Sequence, residues 1–145
     1  MKGKARFQKT FAWQAGFEKH GRKSKRELFL DQMEQVVPWR ELLALVEPHS
    51  PRAGNGRQPV GLAIMLRRYF LPQWFNMSDR GMGEAFYESP VLRRFAGVDL
   101  GVAAAPEERT VLRFRHLLEE HELCGRTLNT VNLYLHRNRL APLGA

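Results

Sequence analysis

His116, Glu119, Glu120 and His121 come near the spacing of a helical zinc site, in which two imidazoles and a carboxylate share one face. The two histidines are five positions apart, however, so about 140° separates them around a helix and one ion cannot readily take both. Metal-dependent phosphoryl transfer needs several carboxylates converging on one cation. The three aspartates, Asp31, Asp79 and Asp99, stand in different segments. Asp79 beside Ser78 and Asp99 within a loop read more simply as capping and turn residues. Cys124 has no histidine at helical spacing and falls on an apolar stripe, which makes it a core thiol rather than a nucleophile. Gly54-Asn55-Gly56 lacks the Gly-Lys-Ser/Thr ending of a phosphate-binding loop. No catalytic residues, no metal site and no cofactor are therefore expected.

The elements that carry these residues belong to a chain of 145 residues, 43% apolar and 26% charged, with a mean hydropathy of −0.43. That is enough for one core. No apolar run reaches the roughly 18 to 20 residues of a membrane span, and the basic N-terminus is not followed by the apolar core of a signal peptide, so a cytoplasmic location is expected. The single cysteine can make no internal disulfide.

The formal charge of +8 is unevenly placed. Residues 1–26 hold nine Lys/Arg against Glu18 alone, which accounts for all of it, whereas residues 27–145 hold 14 basic and 14 acidic side chains. Long-range attraction for a polyanion thus resides in the N-terminal arm. Every basic residue after Arg26 is arginine. That choice suits bidentate contacts to phosphate or guanine, and would follow equally from a base-composition bias in the source genome.

Residues 1–23 are Gly-punctuated and carry Phe7, Phe11, Trp13 and Phe17 without a sustained period, the signature of a flexible arm. Ser24-Lys25-Arg26-Glu27 fits a capping box, and Phe29, Leu30, Met33, Val36 and Val37 then mark one helical face up to Pro38. A short helix follows through Leu42, Leu43 and Val46, closed by Pro48. His49 to Gln58 reads as an exposed loop presenting Arg52 and Arg57 around Asn55. Pro59 opens a helix whose apolar positions, from Val60 to Phe70, point nearly all ways, so it should be central, with Pro72 kinking or ending it. Ser78 caps a segment containing Met82, Ala85, Phe86 and Tyr87, and Pro90 starts a turn through Leu92 and Phe95. After a loop over residues 97–105, Pro106-Glu107-Glu108 should form the first turn of a helix to about His121. A last helix, from about Cys124 to Arg139, sets Cys124, Leu128, Val131 and Leu135 on one face. No strand pair is visible. The expected fold is all-α: a compact helical bundle over 24–140 with a helix-turn-helix-like element, the flexible basic arm over 1–23, and a tail over 141–145.

The helix after Pro106 has two contrasting faces. Val111, Phe114 and Leu118 cluster on one side, while Arg109, Arg113, His116 and Glu120 line the other with Thr110 at its flank. A helix with arginines over its first two turns, packed on a bundle behind a tight loop, is what a helix-turn-helix protein inserts into a major groove. The same stripe is also what an ordinary solvated face looks like. Arg115 lies nearer the apolar side and takes a structural role first, with Glu119 as its partner at i+4.

Particular strings go further than periodicity. Residues 22–30 (Arg-Lys-Ser-Lys-Arg-Glu-Leu-Phe-Leu), Met33-Glu34-Gln35, Val37-Pro38-Trp39, Ala53-Gly54-Asn55-Gly56-Arg57 with Pro59, Met65-Leu66-Arg67, Gln73 to Asp79, Ala85-Phe86-Tyr87-Glu88 and Phe114 to Glu119 together resemble one family. It is the N-terminal domain of bacterial transposases named after insertion sequence five, with DDE chemistry, and the likeness runs collinearly over about residues 22–140. The resemblance implies a non-enzymatic module that binds the element's terminal inverted repeats in double-stranded DNA during transposition. Catalysis would fall to a following RNase-H-like domain whose first aspartate would lie beyond Ala145. Pro106-Glu107-Glu108-Arg109-Thr110 stands where the family often has an Asp and a Ser/Thr pair, and Pro72 interrupts a segment usually free of proline. On this reading Arg109, Thr110, Arg113 and His116 face bases or phosphates, and Arg22, Lys23, Lys25, Arg26, Arg52, Asn55 and Arg57 hold phosphates. Two other readings stay open: an oligomerisation module contacting other transposase copies, which could act as an inhibitor and would use Trp39, Trp74 and Phe75 as exposed aromatics, or an inactive remnant of a transposase gene.

Overall fold

The computed structural model describes residues 22–50 and 61–144. The expected arm as far as Gly21, the loop from Pro51 onward and the opening proline at 59 lie outside the described residues. The chain divides into two compact units, residues 1–31 and 32–145. Seven α-helices and no strand occur among the described residues, as the all-α reading requires: α1 Lys25–Val36, α2 Trp39–Val46, α3 Leu62–Phe75, α4 Asp79–Glu88, α5 Pro90–Ala96, α6 Glu108–Glu120 and α7 Leu123–Arg137.

In the first unit the Ser24 hydroxyl accepts from the Glu27 amide at 3.1 Å, the first half of the expected capping box, and Lys23 pairs with Asp31 at 2.7 Å.

The second unit is organised around α3, which packs against α2, α4, α5 and α6. Met65, Leu66, Phe70 and Leu71 are all buried, so its apolar residues cover several directions because several neighbours surround it. Pro72 corrects one expectation: the helix continues past it to Phe75 and ends at Asn76, in the left-handed region at φ 51°. A proline removes one rung and costs about 3 kcal/mol inside a helix. Phe70 and Leu71, fully buried beside it, return about 1.5 to 3 kcal/mol each, enough to carry the last turn through.

Ser78 caps α4 by accepting from the Gly81 amide at 2.9 Å. A Cβ at Gly81 would stand 3.1 Å from that hydroxyl, so the glycine gives the cap its room. Ser89 caps α5 in the same way, from the Leu92 amide, and Gly97 closes it at φ 85°, a conformation only glycine adopts without strain. Helix α6 starts at Glu108, two residues later than Pro106 suggested. Glu107 is extended at φ −75°, ψ 159°, and Ala105 and Pro106 are buried. Proline's fixed φ suits extended chain as well as a first helical turn, and burial of this pair selects the former. In α7 the buried face is Leu123, Thr127, Val131 and Leu135, displaced from the expected stripe, with Cys124 and Leu128 half-buried at its edge. Thr127 can be buried because its hydroxyl donates to the Leu123 carbonyl at 2.8 Å.

Candidate nucleic-acid interface

The two-faced character of α6 is present in the structure. Val111, Phe114 and Leu118 are buried, while Arg109, Arg113, His116 and Glu120 are exposed and Thr110 is half-buried. Burial of three apolar side chains at i, i+3 and i+7 fixes which side of the helix meets the bundle, and the intervening positions are left to solvent. Segment 97–107 joins α5 to α6, longer than the three- or four-residue turn of a helix-turn-helix motif. Arg22, Lys23, Lys25 and Arg26 are exposed residues of the first unit. Arg52, Asn55 and Arg57 lie outside the described residues.

Not every arginine is available to a ligand. Arg67 pairs with Glu34, donates to the Phe95 carbonyl at 3.0 Å and lies 4.5 Å over the Trp39 ring. Arg93 donates to the Phe86 carbonyl at 2.6 Å. Arg68 is fully buried. Its Nη2 donates to the Asp79 carbonyl at 2.7 Å and its Nη1 stands 3.5 Å from the same residue's Oδ1. Burial lowers the Arg68 pKa from its ordinary value, and Asp79 acts in the opposite direction. Arg115 takes the structural role expected of it, but with a partner in another helix: its Nη2 donates to Asp79 Oδ1 at 2.7 Å, where helical spacing had pointed to Glu119. Asp79 is thus more than the capping residue it resembled.

An open depression of about 560 Å³ lies between α4 and the start of α6, lined by Arg80, Gly83, Glu84 and Tyr87 on one side and residues 105–109 on the other, with Arg68 beneath. Of the expected site residues it takes in Arg109 alone. Arg80 and Tyr87, both exposed, were missed by sequence reasoning. Their signal was the spacing of Arg80, Gly83, Glu84 and Tyr87, one face of a helix at i, i+3, i+4 and i+7.

The aromatics suspected of mediating self-association are not exposed. Trp39 and Trp74 are half-buried and meet edge to face at 6.3 Å; Trp39 also meets Phe95 at 5.7 Å, and Trp74 stacks on Phe70 at 5.7 Å. Phe75 is half-buried as well. Their large apolar area is used within the fold. Among the described residues no group of three or more His, Cys, Asp or Glu side chains could hold a metal ion, and no helix is long and apolar enough to cross a membrane.

No solved structure matches the chain. A family model described as Transposase domain (DUF772) matches residues 17–117, well over half of the 145. The match runs from the basic N-terminal segment through α1 to α5 and into α6 as far as Leu117, so it includes both the Asp79 cluster and the exposed residues Arg109, Arg113 and His116. The chain belongs to the Transposase domain (DUF772) family.

Proposed function

We propose that this chain is a non-catalytic DNA-binding module of an insertion-sequence transposase, of the kind named after insertion sequence five, and that it grips the terminal inverted repeats of the element in the cytoplasm. A role in transposition follows from the family. The observation that supports DNA reading is the exposure of Arg109, Arg113 and His116 along one side of α6 while the opposite side is buried. A helix held to its bundle by one face can offer the other to a major groove, where arginine reads guanine bidentately. Thr110 contributes at the flank. Lys25, Arg26 and the basic residues before them hold phosphates, as do Arg52, Asn55 and Arg57, and supply affinity with little choice of sequence.

The experiment is a mobility-shift titration against terminal-repeat and random duplexes. The Arg109→Ala, Arg113→Ala double variant should bind both alike. Unchanged discrimination by that variant would remove α6 from the reading.

A further inference from the structure

We infer that Asp79 is the positioning residue of the DNA-facing helix, a role that rests on the function proposed above. Three helices converge on this one residue. Its carboxylate Oδ1 accepts from Arg115 of α6 at 2.7 Å and stands 3.5 Å from Nη1 of Arg68 of α3. Its carbonyl accepts from Nη2 of the same Arg68 at 2.7 Å. Asp79 itself is the first residue of α4.

Two guanidiniums therefore share one carboxylate, and the cluster is short of acceptors. Arg68 Nε and Nη1 and Arg115 Nε are buried with no hydrogen-bond partner. An under-satisfied cluster of this sort has little freedom to rearrange, because moving the carboxylate away strands the fully buried Arg68 cation without its counter-charge and takes from the half-buried Arg115 its charged hydrogen bond. Phe86 on the α4 side adds to the confinement, with the Arg68 guanidinium carbon 5.8 Å from its ring centroid.

The consequence falls on α6. Val111, Phe114 and Leu118 anchor one face by apolar contact, which resists separation but tolerates small rotations and slides, since dispersion is weakly directional. Arg115 is next to Phe114 and lies between Arg113 and His116 in sequence. A charged hydrogen bond is directional, so the Arg115 to Asp79 bond fixes the rotation of α6 about its own axis. Reading a base edge demands that an arginine fork arrive within a few tenths of an ångström and a few tens of degrees. Asp79 makes no contact with DNA on this account; it acts through Arg115.

The test uses the full chain. Arg115→Met keeps the packing volume and leaves Arg68 its partner, so it should fold even where Asp79→Asn does not. Both variants should retain wild-type affinity for random duplex within about twofold, and lose about tenfold in preference for the terminal repeat, the discrimination that one bidentate arginine–guanine pair supplies. In a cycle with Arg113→Ala the losses should be non-additive, because Arg113 is what the bond aims. Spin labels at positions 84 and 119, placed in a Cys124→Ser background, report the α4 to α6 distance without DNA; Arg115→Met should broaden it. Wild-type discrimination by a folded Arg115→Met chain, or a distance distribution as narrow as wild type, overturns the inference. A wild-type chain that prefers no repeat overturns the proposed function instead, and the spin-label distance then decides the positioning role alone.

Discussion

Asn132 holds Leu143 with both ends of its side-chain amide: Nδ2 donates to the Leu143 carbonyl at 3.1 Å and Oδ1 accepts from the Leu143 amide at 2.7 Å. The clasp brings the segment after α7 back onto that helix, where Leu143 is 8% exposed. Asn132→Ala removes both bonds and leaves two backbone groups seeking water, which should cost about 1 to 2 kcal/mol at about 1 kcal/mol per net bond. Asn132→Asp keeps the acceptor and loses the donor, and should fall between. Urea midpoints of the three proteins check the order, and equal midpoints for wild type and Asn132→Ala would show that the clasp contributes nothing.

The Asp79 cluster predicts an asymmetry between its members. Asp79→Ala leaves the fully buried Arg68 without its counter-charge and should cost about 3 kcal/mol, the lower end for a broken buried pair because the Asp79 side chain is 32% exposed. Arg68→Met replaces the cation by a flexible apolar chain of similar reach, and Asp79 keeps Arg115. It should be close to neutral. Thermal or chemical denaturation separates the two; an Arg68→Met variant as damaged as Asp79→Ala would mean that the guanidinium itself stabilises the core.

Much of this architecture could be read from residue order, and the exceptions share a cause. Ser24 and Ser78 mark helix starts through bonds that reach three residues, Pro38 and Pro90 through a fixed φ and a missing N–H, and such local chemistry is visible along a chain. The buried face of α6 followed from a 3.6-residue period over Val111, Phe114 and Leu118. Pro72 and Pro106 misled because tertiary burial decided the outcome: it offset the cost of a proline inside α3, and at Pro106 it chose between two conformations that proline allows equally. Thr127 displaced Leu128 from the α7 core face because a hydroxyl can satisfy itself on its own helix. Arg115 to Asp79 spans 36 positions and leaves no periodic trace, so an i+4 partner was the only one spacing could offer. The exposed stripe of Arg109, Arg113 and His116 was legible as a surface; what it touches is a property of a second molecule.

Tyr69 makes a pH-dependent contribution whose sign can be worked out. Burial, with Cys124 beside it, pushes its phenol from 10.0 up to about 12. The folded protein therefore holds the proton more tightly than the unfolded chain. The stabilisation is complete below pH 10, where both states are protonated, and is lost as pH rises through 10 towards 12. Tyr69→Phe should flatten the decline of stability across that window and delete the last-ionising phenol from an ultraviolet titration. An unaltered slope in the variant would locate the alkaline transition elsewhere.

Affinity and choice should be separable by salt. Residues 1–23 contain seven Lys/Arg and one Glu, so deleting them removes most of the basic excess of the chain and leaves α6 intact. Every phosphate that the shortened chain no longer neutralises should flatten the dependence of log affinity on log salt by about 0.9. The deletion should therefore reduce binding to terminal-repeat and random duplexes by the same factor, and the reduction should shrink as salt rises. Arg113→Ala should do the opposite: a change of no more than about one in slope, with the weakening confined to the repeat. The measurement is a pair of titrations on each protein at two salt concentrations. If the deletion abolished discrimination while leaving the slope unchanged, sequence choice would reside in the N-terminal segment, and the exposed arginines of α6 would be an ordinary solvated face.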